Sequence, residues 1–369
     1  MADSWLGKVR GHVGEAKDRF SADKRQRDEA GAAPKDKNII LTKQEVQGEW
    51  DANRVLMTTI GGASRRITSD DLATFRHNMR MAQTRFKGGK GITARQVIDM
   101  ASSQPLSYVS ANPGEASSDI DKARKEITSG IPVSAHNGMV RFITNAGKDS
   151  DVTRHHVVVM FNAFDEAGHK LAATEAKDRK SPKQVANWLR KQKLSFDCDC
   201  GRHRYFLRYV ATIGGFAAGR QEWGFPKIRN PGLKGVACKH VLRVMTEIES
   251  SNAVLRFLEK YMEKLQASAD NTARIQAAQS EAEEAASSKS ATKIKTSEQR
   301  KAEAMRAKER RATKAAAKAA PRSKARKPAA TRRLEAQIDK GEITAEDLIA
   351  QLRRLGKAPE EIMAALKGQ

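Results

Sequence analysis

The chain has 369 residues, a net charge of +24, 39% hydrophobic and 5% aromatic residues. That length favours two or three domains, and the low apolar and aromatic content places part of the chain outside any packed core. No apolar run reaches the roughly 18 residues of a membrane-spanning helix, Met1-Ala-Asp-Ser-Trp5 lacks the basic-then-apolar order of a secretion signal, and three cysteines suit a reducing cytoplasm. The expectation is a soluble protein.

Residues 1–38 are polar and charged, a flexible arm with one short helix near Trp5 to Val13. Residues 39–130 read as helical. Thr42 and Ser69 stand where N-caps belong, with Glu45, Asp70 and Asp71 in the first turns. Leu72, Phe75, Met79, Met81 and Phe86 recur at near-helical spacing as core, followed by Val97, Ile98 and Met100. Gly88-Gly-Lys-Gly91 is a linker turn, because it lacks the order of a phosphate loop. A charged helix covers Ser118 to Thr128.

The period then changes. Met139–Thr144 and His155–Phe164 are β-rich runs joined through the turn-rich 145–150 segment, which predicts a hairpin. Ser181-Pro182 opens a helix with Val185, Trp188 and Leu189 as its buried stripe. Leu194-Ser-Phe196 returns as a strand, and the alternation of Tyr205, Leu207 and Tyr209 predicts another. A glycine-rich loop spans 211–236, and His240 begins a helix carrying Val241, Leu242, Val244, Met245 and Ile248. This makes 131–250 a small α+β module. The helix resumes over 251–288, and helix propensity stays high to about Ala320. Residues 289–333 form a basic Ala/Lys/Arg-rich linker with 17 Lys plus Arg against Glu298, Glu303 and Glu309, a local net of +14. Such a block seeks a polyanion. Residues 334–369 predict a helical hairpin, with Leu348, Ile349, Leu352 and Leu355 facing Ile362, Met363 and Leu366. It is too small to be stable alone and would dock on a partner chain or another copy. The fold class is α+β.

The three cysteines all fall in Cys198-Asp-Cys200, 37 intervening residues, Cys238-Lys-His240. Three thiolates and one imidazole match a four-coordinate structural Zn2+ site. A disulfide would strand one cysteine, and neighbours one residue apart bridge poorly. His203 is a substitute ligand by chemistry, but its place in the loop predicts a surface position. Alternation along the strand predicts that Asp197 and Asp199 point to solvent, and that one of His155 and His156 faces away from any second metal.

The Cys-x-Cys…Cys-x-His pattern resembles the SWIM-type zinc module. Phe196–Tyr205, Arg208-Tyr209, Ala211–Gly215, Phe225–Pro231 and Gly235–Met245 together resemble a segment of virion structural proteins of tailed bacteriophages, particularly short-tailed ones, over about residues 131–250. The resemblance implies a particle component, located in the virion, touching other virion proteins or copies of itself, with packaging inside and ejection with the genome among its roles. Beside it stands the reading of a cytoplasmic zinc-finger nucleic-acid-binding protein. Its candidate phosphate-binding residues are Arg202, Arg204, Arg208, Arg220, Lys227, Arg229 and Lys234 around the finger, with Tyr205, Tyr209 and Trp223 interleaved. Under either reading the basic tail adds Arg310, Arg311, Arg322, Lys324, Arg326 and Lys327. No nucleophile elbow, phosphate loop or zinc-protease signature is present, so the expectation is not an enzyme.

Overall fold

A computed structural model describes residues 41–51, 55–86, 89–108, 117–147, 150–172, 180–268, 272–277, 290, 292–319, 336–337, 340–342, 344–354 and 356. The arm expected at 1–38 and the second helix expected after Pro359 lie outside them. The chain is mixed α+β and divides into two compact units, Met1–Lys301 and Ala302–Gln369.

The first unit contains a two-stranded antiparallel ladder, β1 (Met57–Thr58) with β2 (Arg65–Arg66), and a six-stranded antiparallel sheet. The strands of the larger sheet are β3 (Ile92–Thr93), β4 (Gly130–His136), β5 (Met139–Asn145), β6 (Arg154–Phe161), β7 (Lys193–Cys198) and β8 (Arg274–Gln276), in the order β3-β7-β6-β5-β4-β8. β5 and β6 form the expected hairpin. β4 joins β5 through Asn137 (φ 43°) and Gly138 (φ 79°), an Asn-Gly pair whose left-handed backbone matches strand twist. A side chain at 138 would meet Phe164 Cβ at 2.8 Å, so glycine is required there. Two expectations are corrected. β6 stops at Phe161, because Phe164 opens a helix whose Phe164, Ala167 and Leu171 repeat at helical spacing and are buried. Residues 274–276 are not helical. Ala135 pairs with Ile275, and edge pairing overrides local propensity.

Among the described residues the α-helices of this unit are α1 (Lys43–Gln47), α2 (Ser69–Phe86), α3 (Ala94–Ser103), α4 (Asp119–Glu126), α5 (Phe164–Ala172), α6 (Pro182–Leu189), α7 (Arg208–Ile213), α8 (Lys239–Ser250) and α9 (Asn252–Gln266), with α10 (Ser297–Ala319) starting in it. Reciprocal capping boxes close α1 at Thr42, α4 at Ser118 and α6 at Ser181. At α2 the helix begins on Ser69 itself, one residue earlier than an N-cap there allows, and Asp71 accepts from Thr68 N. Met81, expected in the core, is exposed, while Leu72, Phe75, Met79 and Ala82 form the buried stripe.

α8 is the axis of the packing. All residues from His240 to Ile248 are buried. One side lies on the sheet and the other receives α3 and α4, as a helix buried all round requires. α9 packs on α5 and α6, and its Tyr261 hydroxyl accepts from Gly138 N at 2.8 Å. The helical region before residue 130 is continuous with this core. Phe75 stacks 4.5 Å from Phe225, and Ile92 pairs with Leu194. The start of the basic segment belongs to the same body. Arg243, Arg124 and Arg95 donate to the carbonyls of Thr292, Ile294 and Lys295, and Ile294 is buried.

In the second unit, α11 (Ala345–Arg354) begins where expected. Thr344 and Asp347 cap each other reciprocally through side chain and backbone. Its Leu348 and Leu352 side chains lie outside the described residues. Among the described residues no helix is long and apolar enough to cross a membrane.

Candidate metal centre

The sheet and the central helix bring Cys198, Cys200, Cys238 and His240 together. Cys198 ends β7, where it pairs with Val157 of β6. Cys200 follows in a tight bend. Cys238 is the N-cap of α8, in extended backbone at φ −75° and ψ 165°, and His240 sits in that helix's first turn. The four ligand atoms lie within 4.8 Å of one another, and all four residues are buried. The cysteines are free thiols. Such a cluster can hold a metal ion.

Its chemistry fits a cation. Burial pushes the Cys198 and Cys238 thiols well up from their ordinary value. Burial also raises Cys200, but hydrogen bonds from Cys198 and Cys238 and the neighbouring His240 outweigh it and hold that thiol well below its ordinary value. Three thiolates packed this closely repel one another, so one ionises only at the expense of the others unless a cation joins them. Cys238 at a helix N-terminus and His203 N, which donates to Cys200 Sγ at 3.3 Å, both favour thiolate. His240 is buried with no nitrogen or oxygen partner for either ring nitrogen. A metal bond would satisfy one of the two.

The surroundings overturn three expectations. Asp197 does not face solvent. It is buried, accepts from Arg208 Nε and Nη2 at 3.1 and 2.9 Å, and lies 2.9 Å from His203 Nε2. His203 is fully buried rather than on a loop surface. Asp199 does not stand apart either. Its two oxygens meet Nδ1 of His155 at 2.9 Å and of His156 at 3.0 Å, so both histidines of the strand reach one carboxylate. The bend after Cys198 turns Asp199 back over β6, which strict strand alternation does not allow for. Burial raises Asp199, but the hydrogen bonds from His155 and His156 outweigh it and lower its pKa to about 2. A carboxylate so depressed stabilises the fold above its ordinary value, and loses that contribution as pH falls toward 2. The His155 ring lies 4.2 Å from that of His240, so this carboxylate braces a candidate ligand.

Residues 202–209 are not a strand. They form one wide π-helical turn, His203–Leu207, running into α7. His203, Leu207, Val210 and Ala211 are buried at helical spacing while Tyr205 is 52% exposed. Of the alternating Tyr205, Leu207 and Tyr209, only Tyr205 lies on the outer face, while Leu207 and Tyr209 turn inward. The glycine-rich loop after it is anchored by Phe216, Phe225, Leu233 and Val236, all buried. Gly215, at φ +74°, lies so close to Gly89 that a Cβ would sit 2.8 Å from its carbonyl oxygen.

The basic candidates separate. Arg208 is spent on Asp197. Arg202 is held by Asp119 and stacked between Tyr108 and Phe206, 4.0 and 4.6 Å from their ring centres. Arg204 lies 4.9 Å over Tyr205. Arg204, Arg220 and Lys227 are half-buried, whereas Arg229 and Lys234 are exposed. Trp223 is exposed beside Lys43, and Tyr209 is buried. Arg310 and Arg311 are exposed on α10. Arg322, Lys324, Arg326 and Lys327 lie outside the described residues.

Ser150 Oγ lies 3.1 Å from His155 Nε2, which gives Ser150, His155 and Asp199 the hydrogen-bond order of a nucleophilic triad. The carboxylate is shared with His156, and Ser150 Oγ also accepts from Val152 N at 3.4 Å, so the hydroxyl closes the turn before β6. No protein-family model, curated protein or solved structure matches the chain. The function therefore rests on the site and the charge.

Proposed function

We propose that Cys198, Cys200, Cys238 and His240 hold a structural zinc ion, and that the chain is a non-enzymatic structural component of a tailed-bacteriophage particle whose basic C-terminal region contacts nucleic acid. The observation that carries the zinc assignment is the donor set: three buried sulfurs and one buried imidazole within 4.8 Å. Soft thiolates with imidazole in a four-donor set favour zinc. A catalytic zinc keeps a position for water, and here the protein supplies all four donors. The virion assignment rests on the resemblance of residues 131–250. The nucleic-acid contact rests on the +14 segment between Lys289 and Arg333.

The cytoplasmic zinc-finger reading needs an exposed basic finger. Arg202 and Arg208, which it relies on, serve internal ion pairs, and this favours a scaffold with a charged tail. Other virion proteins, or further copies of the chain, are the protein partners of this reading.

Duplex binding by the full chain and by a chain ending at Lys301 separates the two. For the scaffold, log affinity falls steeply and linearly with log salt, sequence preference is small, and binding is lost on truncation. Salt-insensitive binding, or binding kept by the shorter chain, moves the contact to the finger. Mass spectrometry of purified, genome-filled particles tests the virion assignment, and absence of the chain from them overturns it.

A further inference from the structure

Among the described residues, α10 stands out as a long, exposed run of helix. Every residue from Lys301 to Ala315 is exposed, including Met305 at 64%. A helix polar all round is ordinarily supported by opposite charges at i,i+4. Its i,i+3 pairs, Glu298–Lys301, Arg300–Glu303, Glu303–Arg306 and Arg306–Glu309, all precede Arg310, and at i,i+4 the sequence of α10 places no such pair. It places like charges there instead: Arg306 with Arg310, and Arg310 with Lys314, with Lys318 at the next i+4 position. These residues step along one side of the helix about 6 Å apart in axial rise. Arg311 flanks them on one side and Glu309 on the other, three residues after Arg306, and Glu303 heads the same side. The root of this helix is firmly built. Thr296 and Gln299 cap each other, Asp99 accepts from Ser297 N at 2.7 Å, and Arg300 donates to Glu249 and Ser250. The fold thus fixes the start of a helix whose own charges repel along one ridge.

We propose that the ridge Arg306–Arg310–Lys314 of α10, with Arg311 beside it, is a docking surface for the phosphate backbone of duplex nucleic acid. This deepens the reading that the basic region contacts nucleic acid, and rests on it. Charge complementarity identifies the occupant: a continuous line of phosphates relieves repulsion between successive cations at every step, and planar guanidinium groups suit phosphate oxygens. The contact carries no base readout, so it is indifferent to sequence.

The test uses the full-length chain and a mixed-sequence duplex of about 30 base pairs, chosen to exceed one helix length. Arg306→Gln/Arg310→Gln/Lys314→Gln keeps helix propensity and removes three charges. Its affinity at low salt is expected to fall at least about tenfold, and the salt slope to become shallower by about 2.7, near 0.9 for each lost phosphate contact. The matched variant Arg322→Gln/Lys324→Gln/Arg326→Gln is expected to lose less. In the wild-type chain, amide exchange within 301–315 is expected to slow when duplex is added, and in the ridge variant it is not. Thermal unfolding of the variant should match wild type, which excludes misfolding. If the full chain binds no duplex at all, the parent reading falls with the ridge. If it binds and the ridge variant binds equally well, only the ridge is overturned. Displacement of the duplex by poly-glutamate at equal charge concentration would also overturn it, in favour of an acidic protein partner.

Discussion

Cys200→Ala is expected to abolish cooperative folding of the whole first unit, and chelation of the wild-type chain to do the same. Apparent binding energies of structural zinc in finger peptides are about 10–16 kcal/mol at neutral pH. A domain's entire stability is about 5–15 kcal/mol. Loss of even part of the metal term therefore exceeds what the remaining packing supplies. The damage cannot stay local. Cys198 ends a strand in the interior of the sheet, and Cys238 begins α8, which contacts the sheet, α3 and α4. Removing a buried thiol from a site without metal would cost only about 1 kcal/mol, the common size of a point-mutation effect. Circular dichroism and thermal unfolding of the variant read the difference directly. A soluble Cys200→Ala chain melting at the wild-type temperature would sink the zinc account.

Asp197→Ala is the second large effect, and it works without touching a ligand. Its partner Arg208 has a side chain only 3% exposed. Removing the carboxylate breaks the ion pair of a buried guanidinium, which costs about 3–5 kcal/mol. The double variant Asp197→Leu/Arg208→Met should recover most of that, because a well-packed apolar pair replaces a buried ion pair at little cost. Urea unfolding of the three proteins, with metal content measured alongside, makes the comparison. A single variant within about 1 kcal/mol of wild type would mean that Arg208 finds another acceptor or reaches water.

These two residues mark the boundary of what the sequence makes legible. The donor set was readable because cysteines are rare and their spacing is chemically constrained. Ser181-Pro182 and Thr42 announced helix starts through local side-chain-to-backbone bonds, which depend on neighbours a few residues away. The network around the cluster was not readable. Asp197 meets Arg208 across a tight bend, and Asp199 meets His155 and His156 some forty residues earlier, distances that strand alternation alone mispredicts. The short strands Ile92–Thr93 and Arg274–Gln276 have too few residues to show a period, and exist through the partners they pair with. One signal was present and unused: Asn137-Gly138 between two β-rich runs marks the β4–β5 turn. Tyr205, Leu207 and Tyr209 misled because short helices and strands can share an alternating pattern of large side chains.

If a metal ion joins Cys198, Cys200, Cys238 and His240, elemental analysis of the purified full-length chain returns one zinc per chain, removed only together with cooperative unfolding. A folded, metal-free chain with three titratable thiols would overturn the zinc assignment.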